Sequence, residues 1–260
     1  MIIVQISDFH VDLCVQTRAG KIDTRECLHR AVAHVKALRP APDVVLATGD
    51  LVNDGTPEQY AVVAQALAAL SMPCYVIPGN HDDRENLRRA FRGKPYLAAT
   101  GEFVHYVVDD YPLRLIALDT LVPGRDEGEL CQRRLDWLRA RLAEAPRQPT
   151  LIFMHHPPFT TALPVFDGMG LRGAAPMSEV IRQHPQIEAI VCGHLHRSIH
   201  TRWGGAIACT APSISFQYPM DIGGSGTILP LDESPGGRLY VWHPDRGLVA
   251  HSFVISERGS

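Results

Sequence analysis

The amino-acid sequence predicts an α/β fold with a β-rich final third. Five apolar, partly β-branched runs carry the first half of that reading: Ile2-Ile3-Val4-Gln5-Ile6, Val44-Val45-Leu46-Ala47, Tyr75-Val76-Ile77, Leu151-Ile152-Phe153-Met154 and Ile187-Glu188-Ala189-Ile190-Val191. Runs of this length and composition suit strands buried on both faces, as in parallel sheets. Segments of helical period separate them. After residue 198 the pattern changes to short strands between Gly and Pro turns.

Taken in order, the first strand is followed by Asp23 with Glu26 three residues on, a capping-box-like start for a helix that Pro40 stops near Arg39. Thr56 as N-cap and Pro57 at the first helical position open a helix to about Leu70. Asp83 opens a short basic helix over 84–92, whose Arg84, Arg88, Arg89 and Arg92 read as a solvated face. Residues 106–109 and 113–119 form a hairpin pair. The stretch 129–144 is an amphipathic helix with Leu135, Leu138 and Leu142 on one face. Late strands are expected over 198–203, 206–210, 238–242 and 248–255. Three long loops, 121–128, 157–176 and 211–237, are expected to wall a pocket, since long loops in compact domains are commonly functional. One domain spans 1–260, with 211–255 a β-rich cap or oligomerisation segment.

Composition sets the bounds. The 260 residues are 45% hydrophobic and 20% charged, with mean hydropathy −0.04. That suits a soluble chain with one sizeable core. A net charge of −3 and pI near 6.5 argue against a dedicated nucleic-acid or membrane-surface binder. No apolar run is long enough to span a bilayer. The six cysteines include no C-x-x-C pair, and Cys74 and Cys192 fall in strands as buried thiols. A reduced, cytoplasmic protein is expected.

Each apolar run ends in polar, metal-competent residues: Asp8 and His10, Asp50, Asn80 and His81, His155 and His156, then His194 and His196. The carboxyl ends of parallel strands are where open α/β sheets hold ligands. Carboxylate and imidazole suit Mn, Fe, Co or Zn. Asp8, His10, Asp50, Asn80, His155, His194 and His196 are too many for one ion that keeps an open position. Two ions sharing a bridging carboxylate use them well. Two divalent ions carry +4 and the two aspartates return −2, leaving charge for a hydroxide and an anionic phosphodiester. A bound water with a pKa near about 7 supplies the nucleophile. Plainer readings exist for each residue alone: Asp8 and Asp50 as caps or turn formers, the histidine pairs as exposed loop residues. Their joint recurrence at five strand ends argues for the site. His29, His34, His105, His184, His200, His243 and His251 lack that context and read as surface or capping residues.

The ordered blocks Asp8-Phe9-His10, Gly49-Asp50, Gly79-Asn80-His81, His155-His156 and Gly193-His194-Leu195-His196 resemble the calcineurin-like metallophosphoesterase superfamily, in its bacterial cyclic-nucleotide phosphodiesterase and glycerophosphodiesterase branch. The resemblance implies a four-layer αββα sandwich. It assigns Asp8, His10 and His196 to one metal ion, Asn80, His155 and His194 to the other, and Asp50 to both. It makes His81 catalytic rather than a ligand, placed at the substrate phosphate or leaving group together with Asn80. Asn80 is a weak neutral ligand, so its ion should be the more loosely held.

Protein phosphatases of a sister branch carry a phosphate-binding arginine where this chain has Asp54, which favours monoanionic diesters through repulsion of a dianion. The expected activity is hydrolysis of a small phosphodiester, a 3′,5′-cyclic nucleotide first and a glycerophosphodiester second. Phe159, Phe166, Phe216 and Tyr218 offer faces for a base or aryl group, with Phe159 and Tyr218 the leading substrate contacts and 11–21 the alternative wall. A non-catalytic scaffold on the same fold is the rival from another class, disfavoured because such proteins lose ligands or the catalytic histidine. Relatives of this branch often form homodimers or larger homo-oligomers through the late strands.

Overall fold

The structure, a computed structural model, describes residues 1–17, 20–98, 100–226, 228–231 and 233–256. The first half contains β1 (Ile2–Ile6), β2 (Cys14–Gln16), β3 (Lys21–Asp23), α1 (Thr24–Ala37), β4 (Val44–Thr48), α2 (Pro57–Leu67), β5 (Cys74–Ile77), α3 (Arg84–Ala90), α4 (Pro95–Ala98) and β6 (Tyr106–Val108). There follow β7 (Arg114–Leu118), β8 (Gly128–Glu129), α5 (Gln132–Glu144), β9 (Thr150–Met154), α6 (Pro164–Asp167), β10 (Leu171–Arg172) and α7 (Ala174–Arg182). The last part is β11 (Ile187–Cys192), β12 (His200–Trp203), β13 (Ala206–Thr210), β14 (Gly236–His243) and β15 (Gly247–Val254).

Two sheets face each other, in the orders β15-β14-β1-β4-β5 and β12-β13-β11-β9-β7-β6. Their centres are parallel: β1 with β4 and β5 in the first, β7, β9, β11 and β13 in the second. Side chains of the second sheet alternate between two cores, as the strand period of two requires. Leu115, Ala117, Leu151, Phe153, Ala189 and Val191 point into the main core shared with the first sheet. Their neighbours Ile116, Leu118, Ile152, Met154, Ile190 and Cys192 pack beneath α5 and α7. On the far side α1, α2 and α3 bury Leu28, Val35, Tyr60, Val63 and Leu87 in the main core. The result is the expected four-layer αββα sandwich.

The helix starts follow their caps. Asp23 accepts from the amides of Arg25 and Glu26, Thr56 from Gln59, and Asp83 from Asn86 at 2.8 Å. Several boundaries differ from expectation, α2 ending at Leu67 and α3 at Ala90 among them. α5 begins at Gln132, because Gly128 and Glu129 pair instead with Leu171 and Arg172. The segment 157–176 is not one loop: it holds α6, β10 and the start of α7. Pro176 stands in the first turn of α7, where its missing N–H costs nothing, so it does not end a loop. The segment 211–255 also divides. β14 pairs with β1, setting Ile3 opposite Tyr240, so 236–254 widens the first sheet. Between 211 and 235 the described residues hold one isolated bridge, Gln217 to Leu231. Thr227 and Asp232 in that loop, and Arg18 and Ala19 in the alternative wall, lie outside the described residues. No described helix is long and apolar enough to cross a membrane.

Candidate metal centre

The five strand ends meet across the sandwich, three from the first sheet and two from the second. Asp8, Asp50 and Asn80 follow β1, β4 and β5, while His155 follows β9 and the His194/His196 turn follows β11. Buried hydrogen bonds lock the halves together. The His194 amide donates to Asp8 Oδ1 at 3.0 Å, His155 Nδ1 to Thr48 O at 2.8 Å, and Gln5 Nε2 to Cys192 O at 2.8 Å. Ser213 Oγ donates to Asp8 O at 2.7 Å. Gly49 and Gly79 are forced by this closeness: a Cβ on Gly79 would collide with Asp50 and lie 2.8 Å from His155 Cε1. Asp8, His10, Asp50, His194 and His196 all have left-handed backbones, with φ between 45° and 73°. Such non-glycine conformations each cost on the order of 1–3 kcal/mol and gather where the surrounding fold over-determines them. Asp8 and Asp50 therefore cap no helix; they are buried turn residues aimed at the centre.

The donor set fits divalent cations. A backbone carbonyl only accepts, so each histidine nitrogen facing one carries the proton. His155 Nδ1 faces Thr48 O, His194 Nε2 faces Met169 O at 3.2 Å, and His196 Nδ1 faces Phe216 O at 2.8 Å. The opposite nitrogens then turn lone pairs inward, the arrangement that orients ligating imidazoles. Those lone pairs converge on other acceptors. His155 Nε2 lies 3.0 Å and His194 Nδ1 3.1 Å from Asn80 Oδ1. Asp50 Oδ2 lies 3.3 Å from His155 Nε2 and 3.5 Å from His10 Nε2. His10 Nε2 and His196 Nε2 are 3.0 Å apart, and Asp8 Oδ1 is 3.7 Å from the latter. Acceptors this close, out of water, need positive charge among them, from cations or from protons. Asp8, His10 and His196 form one candidate ligand group, and Asp8, Asp50 and His155 another.

Without an ion, protons supply part of that positive charge. Burial pushes His155 down, but the Asp50 carboxylate and its hydrogen bond reverse this and hold it at about 9. Burial and the Asp50 charge raise Asp8 to about 7 against the pull of His155. Burial would raise Asp50 as well, yet His155 and His10 hold it well below the carboxylate range. His10, at about 4, and His194, at about 3, are lowered chiefly by burial and stand neutral. A ligating metal must therefore displace the His155 proton and part of the Asp8 proton at pH 7. Calorimetric metal titration at pH 7 in buffers of different ionisation enthalpy should show release of about one to two protons. Affinity should rise with pH and the release should fade above about 9, where His155 is already deprotonated. Binding without proton release would contradict this charge assignment.

A cleft of about 170 Å³ opens over the cluster. Its floor is His10, Asp50, Asn80, His81, His194 and His196, and its walls are Asp126, Phe166, Met169, Tyr218 and Ile228. His81 donates its amide to Asp50 Oδ1 at 3.0 Å and faces Asn53 O through Nδ1 at 2.9 Å, leaving Nε2 toward the cleft. His156 lies within ligand range of His155 and His194, but both of its nitrogens have other partners. Its Nδ1 lies 2.8 Å from Thr120 Oγ1 and its Nε2 3.0 Å from Asp126 O, and its ring packs on His194.

The aromatic candidates separate. Tyr218 and Phe166 wall the cleft, with ring centroids 5.3 Å apart. Phe216 is buried beneath His10 and His196 and offers no free face. Phe159 lies in a neighbouring recess with Pro157, Pro158 and Arg172, and no cluster residue lines that recess.

Three further expectations change. Asp54 is exposed and turned away, accepting from Asn53 Nδ2 and Gln59 Nε2, so it exerts no repulsion in the cleft. His105 is buried, stacked on Trp137, and accepts from the Asp119 amide at 2.9 Å, so it is not a surface residue. Arg84 does not belong to a solvated face; it forms a two-pronged ion pair with buried Asp119. Sequence reasoning also missed Asp82. Its carboxylate takes the Gly79 and Leu51 amides and the Tyr60 hydroxyl, shaping the turn that carries Asn80 and His81. The one local signal was an aspartate following Asn80-His81, which reads equally well as a cap.

Known proteins bear on this geometry. The family model for calcineurin-like phosphoesterases matches residues 1–198. A probable glycerophosphodiester phosphodiesterase of Arcobacter nitrofigilis is 34% identical over 99% of this chain and 94% of that protein. The 3′,5′-cyclic adenosine monophosphate phosphodiesterase of Escherichia coli K12 is 28% identical over 98% of this chain and 90% of its own length. Among solved structures, a dimetal phosphatase of Danio rerio superposes with TM-score 0.71 at 16% identity, covering 98% of this chain and 99% of that one. With all five motif blocks gathered at one centre, the chain belongs to the calcineurin-like phosphoesterase family.

Proposed function

We propose that this metal-dependent phosphodiesterase hydrolyses a small organic phosphodiester, with a 3′,5′-cyclic nucleotide as the first substrate class. The observation that carries the diester reading is the lining of the cleft: beyond the cluster histidines it presents no Lys or Arg among the described residues. A dianionic monoester would find no guanidinium to hold it, whereas a monoanionic diester needs none. A glycerophosphodiester is the second reading, favoured by the 34% identical relative named for that substrate.

In this reading Asp8, His10 and His196 would hold one ion, Asn80, His155 and His194 the other, and Asp50 would serve both. The N/O donor set suits Mn, Fe, Zn or Co. When bound, the ions supply positive charge to the phosphate oxygens and a water acidified to neutral pH. The chain's own work lies around them. His81 is the catalytic proton donor. Burial opposes its protonation, but Asp50, the Asn53 carbonyl and Asp82 raise its pKa above the ordinary histidine value. With Nδ1 anchored on the Asn53 carbonyl, His81 turns Nε2 to the cleft, where it would donate to the oxygen on which charge develops. Asn80 shares the phosphate side, and Tyr218 is the wall on which a base stacks. Phe159, in its separate recess, contacts only a substituent long enough to leave the cleft.

We read residues 1–260 as one domain, with 211–235 a pocket wall and 236–254 a platform for homo-oligomers. The edge strand β15 exposes Val249 and Val254 there. All six cysteines are free, which suits a cytoplasmic site of action.

A panel with Mn²⁺ tests the substrate. The expected result is higher kcat/KM for an aryl phosphodiester than for the matched monoester, and turnover of cyclic AMP. Tyr218→Ala should raise KM for cyclic AMP by about 5- to 150-fold, the equivalent of 1–3 kcal/mol of stacking. KM for a glycerophosphodiester should move little. A faster monoester would make the chain a phosphatase, and an unchanged cyclic AMP KM would favour the glycerophosphodiester.

A further inference from the structure

We infer that Arg84 and Asp119 are positioning residues for one metal ion only, the ion assigned to Asn80, His155 and His194. The inference rests on the two-ion reading above.

Arg84 is the first residue of α3, four positions after Asn80 and three after His81. Its side chain is 14% exposed and that of Asp119, just beyond β7, is 0%. Arg84 Nε donates to Asp119 Oδ2 at 2.6 Å, and Nη2 to Oδ1 at 2.8 Å and to Leu121 O at 2.5 Å. The same carboxylate accepts the Val104 amide at 2.8 Å and the Leu121 amide at 2.9 Å. With four donors filled, Asp119 has no lone pair left for a ligand. It is an anchor.

What the anchor joins is specific. On the Arg84 side it reaches the turn of Asn80, from the edge strand of the first sheet. On the Asp119 side the next residue, Thr120, meets His156 Nδ1, and the same loop supplies the Asp126 carbonyl to His156 Nε2. The His156 ring stands 4.6 Å from the His194 ring and 4.9 Å from that of His155, at 90° to the latter. Gly128 closes the loop so tightly on His156 that a Cβ there would collide with its ring. The branches through the side chains of Arg84 and Asp119 and through His156 thus lead to Asn80, His155 and His194, while the Asp119 backbone is tied separately to His105. Of the other four ligands, Asp8, His10 and His196 have holds of their own, Ser213 Oγ on Asp8 O, Thr24 Oγ1 on His10 O and Phe216 O on His196 Nδ1, while Asp50, assigned to both ions, takes the His81 amide.

The fork matters as well as the charge. Only a guanidinium can bridge both carboxylate oxygens and still reach Leu121 O; an ammonium keeps the charge but not the geometry. Removing either partner leaves the other charge buried and unpaired, so the loop and turn must shift to rehydrate it. A shift of Asn80 against His155 and His194 opens one ion's ligand set directly and reaches the other's only through the His81 amide on Asp50 and the His194 amide on Asp8.

The test is a metal titration of the full chain with Co²⁺, read by calorimetry and by ligand-field absorption, on wild type, R84A, R84K and D119N. Thermal melting of each metal-free protein runs alongside. Wild type should bind in two steps. In R84A and D119N the weaker step should lose about 10- to 100-fold in affinity, as loss of an outer partner of metal ligands typically does. The stronger step should move less than about twofold. R84K should fall between R84A and wild type. Should R84A not fold, R84K and D119N carry the same comparison. Parallel weakening of both steps, or a lower melting temperature with both steps unchanged, would overturn the inference and leave the pair a structural tie. A single step in wild type would instead end the two-ion reading itself, so the two failures are distinguishable.

Discussion

His81→Ala should lower kcat for the best diester by about 10²- to 10⁴-fold, the usual contribution of a positioned proton donor. Both metal-binding steps should stay within about threefold of wild type, since His81 is assigned no ligand bond and outer-partner losses of tenfold or more would mark one. Geometry explains the separation. Its backbone amide, which survives the substitution, makes the 3.0 Å bond to Asp50, while the side chain alone reaches the cleft. The loss should be smallest for a diester with an acidic nitrophenol leaving group, which departs without protonation, and largest for an alkoxide. A uniform loss across leaving groups would reduce His81 to electrostatic binding of phosphate. Steady-state kinetics over a leaving-group series decides this.

Asp50→Ala should be the more destructive change. Asp50 Oδ2 lies between His10 and His155, and Oδ1 receives the His81 amide. Its loss removes the only group assigned to both ions and, with it, several kcal/mol of transition-state charge stabilisation. At 1.36 kcal/mol per decade that is about a thousandfold or more in kcat/KM. The metal-free fold should suffer too. His155, held at about 9 largely by Asp50, would be left buried without its partner. Breaking a buried pair in this way costs about 3–5 kcal/mol. A conservative Asp50→Asn should keep more of the fold than of the activity. If Asp50→Ala retained a tenth of wild-type turnover at saturating metal, the bridging role would be wrong.

The fold and the donor set were legible because their signals are local. Asp23, Thr56 and Asp83 cap helices through bonds to residues two or three positions on, so short windows contain them. The strand ends were visible because parallel strands are apolar throughout and stop where polar residues begin. What stayed hidden depends on contacts distant in sequence. That the ligands come from two facing sheets follows from β5 ending the first sheet as an edge while β9 pairs with β7 and β11 in the second. Asp54 read as a cleft residue by position, but Gln59 turns it outward. Arg84 read as solvated because its helix is basic, and only Asp119, 35 residues away, shows otherwise. Among the aromatics, burial distinguishes Phe216 from Tyr218, and no pattern in 211–237 predicts which of the two lies under the histidines.

The central claim is that two ions sit at this centre with Asp50 common to both. Crystals of the Mn²⁺-loaded protein, with anomalous diffraction collected above the manganese edge, test it most directly. The expected map has two anomalous peaks. One is ringed by Asp8, His10 and His196 and the other by Asn80, His155 and His194, with an Asp50 oxygen bonded to each. A single peak at saturating metal, or two peaks with Asp50 touching only one, would contradict the account.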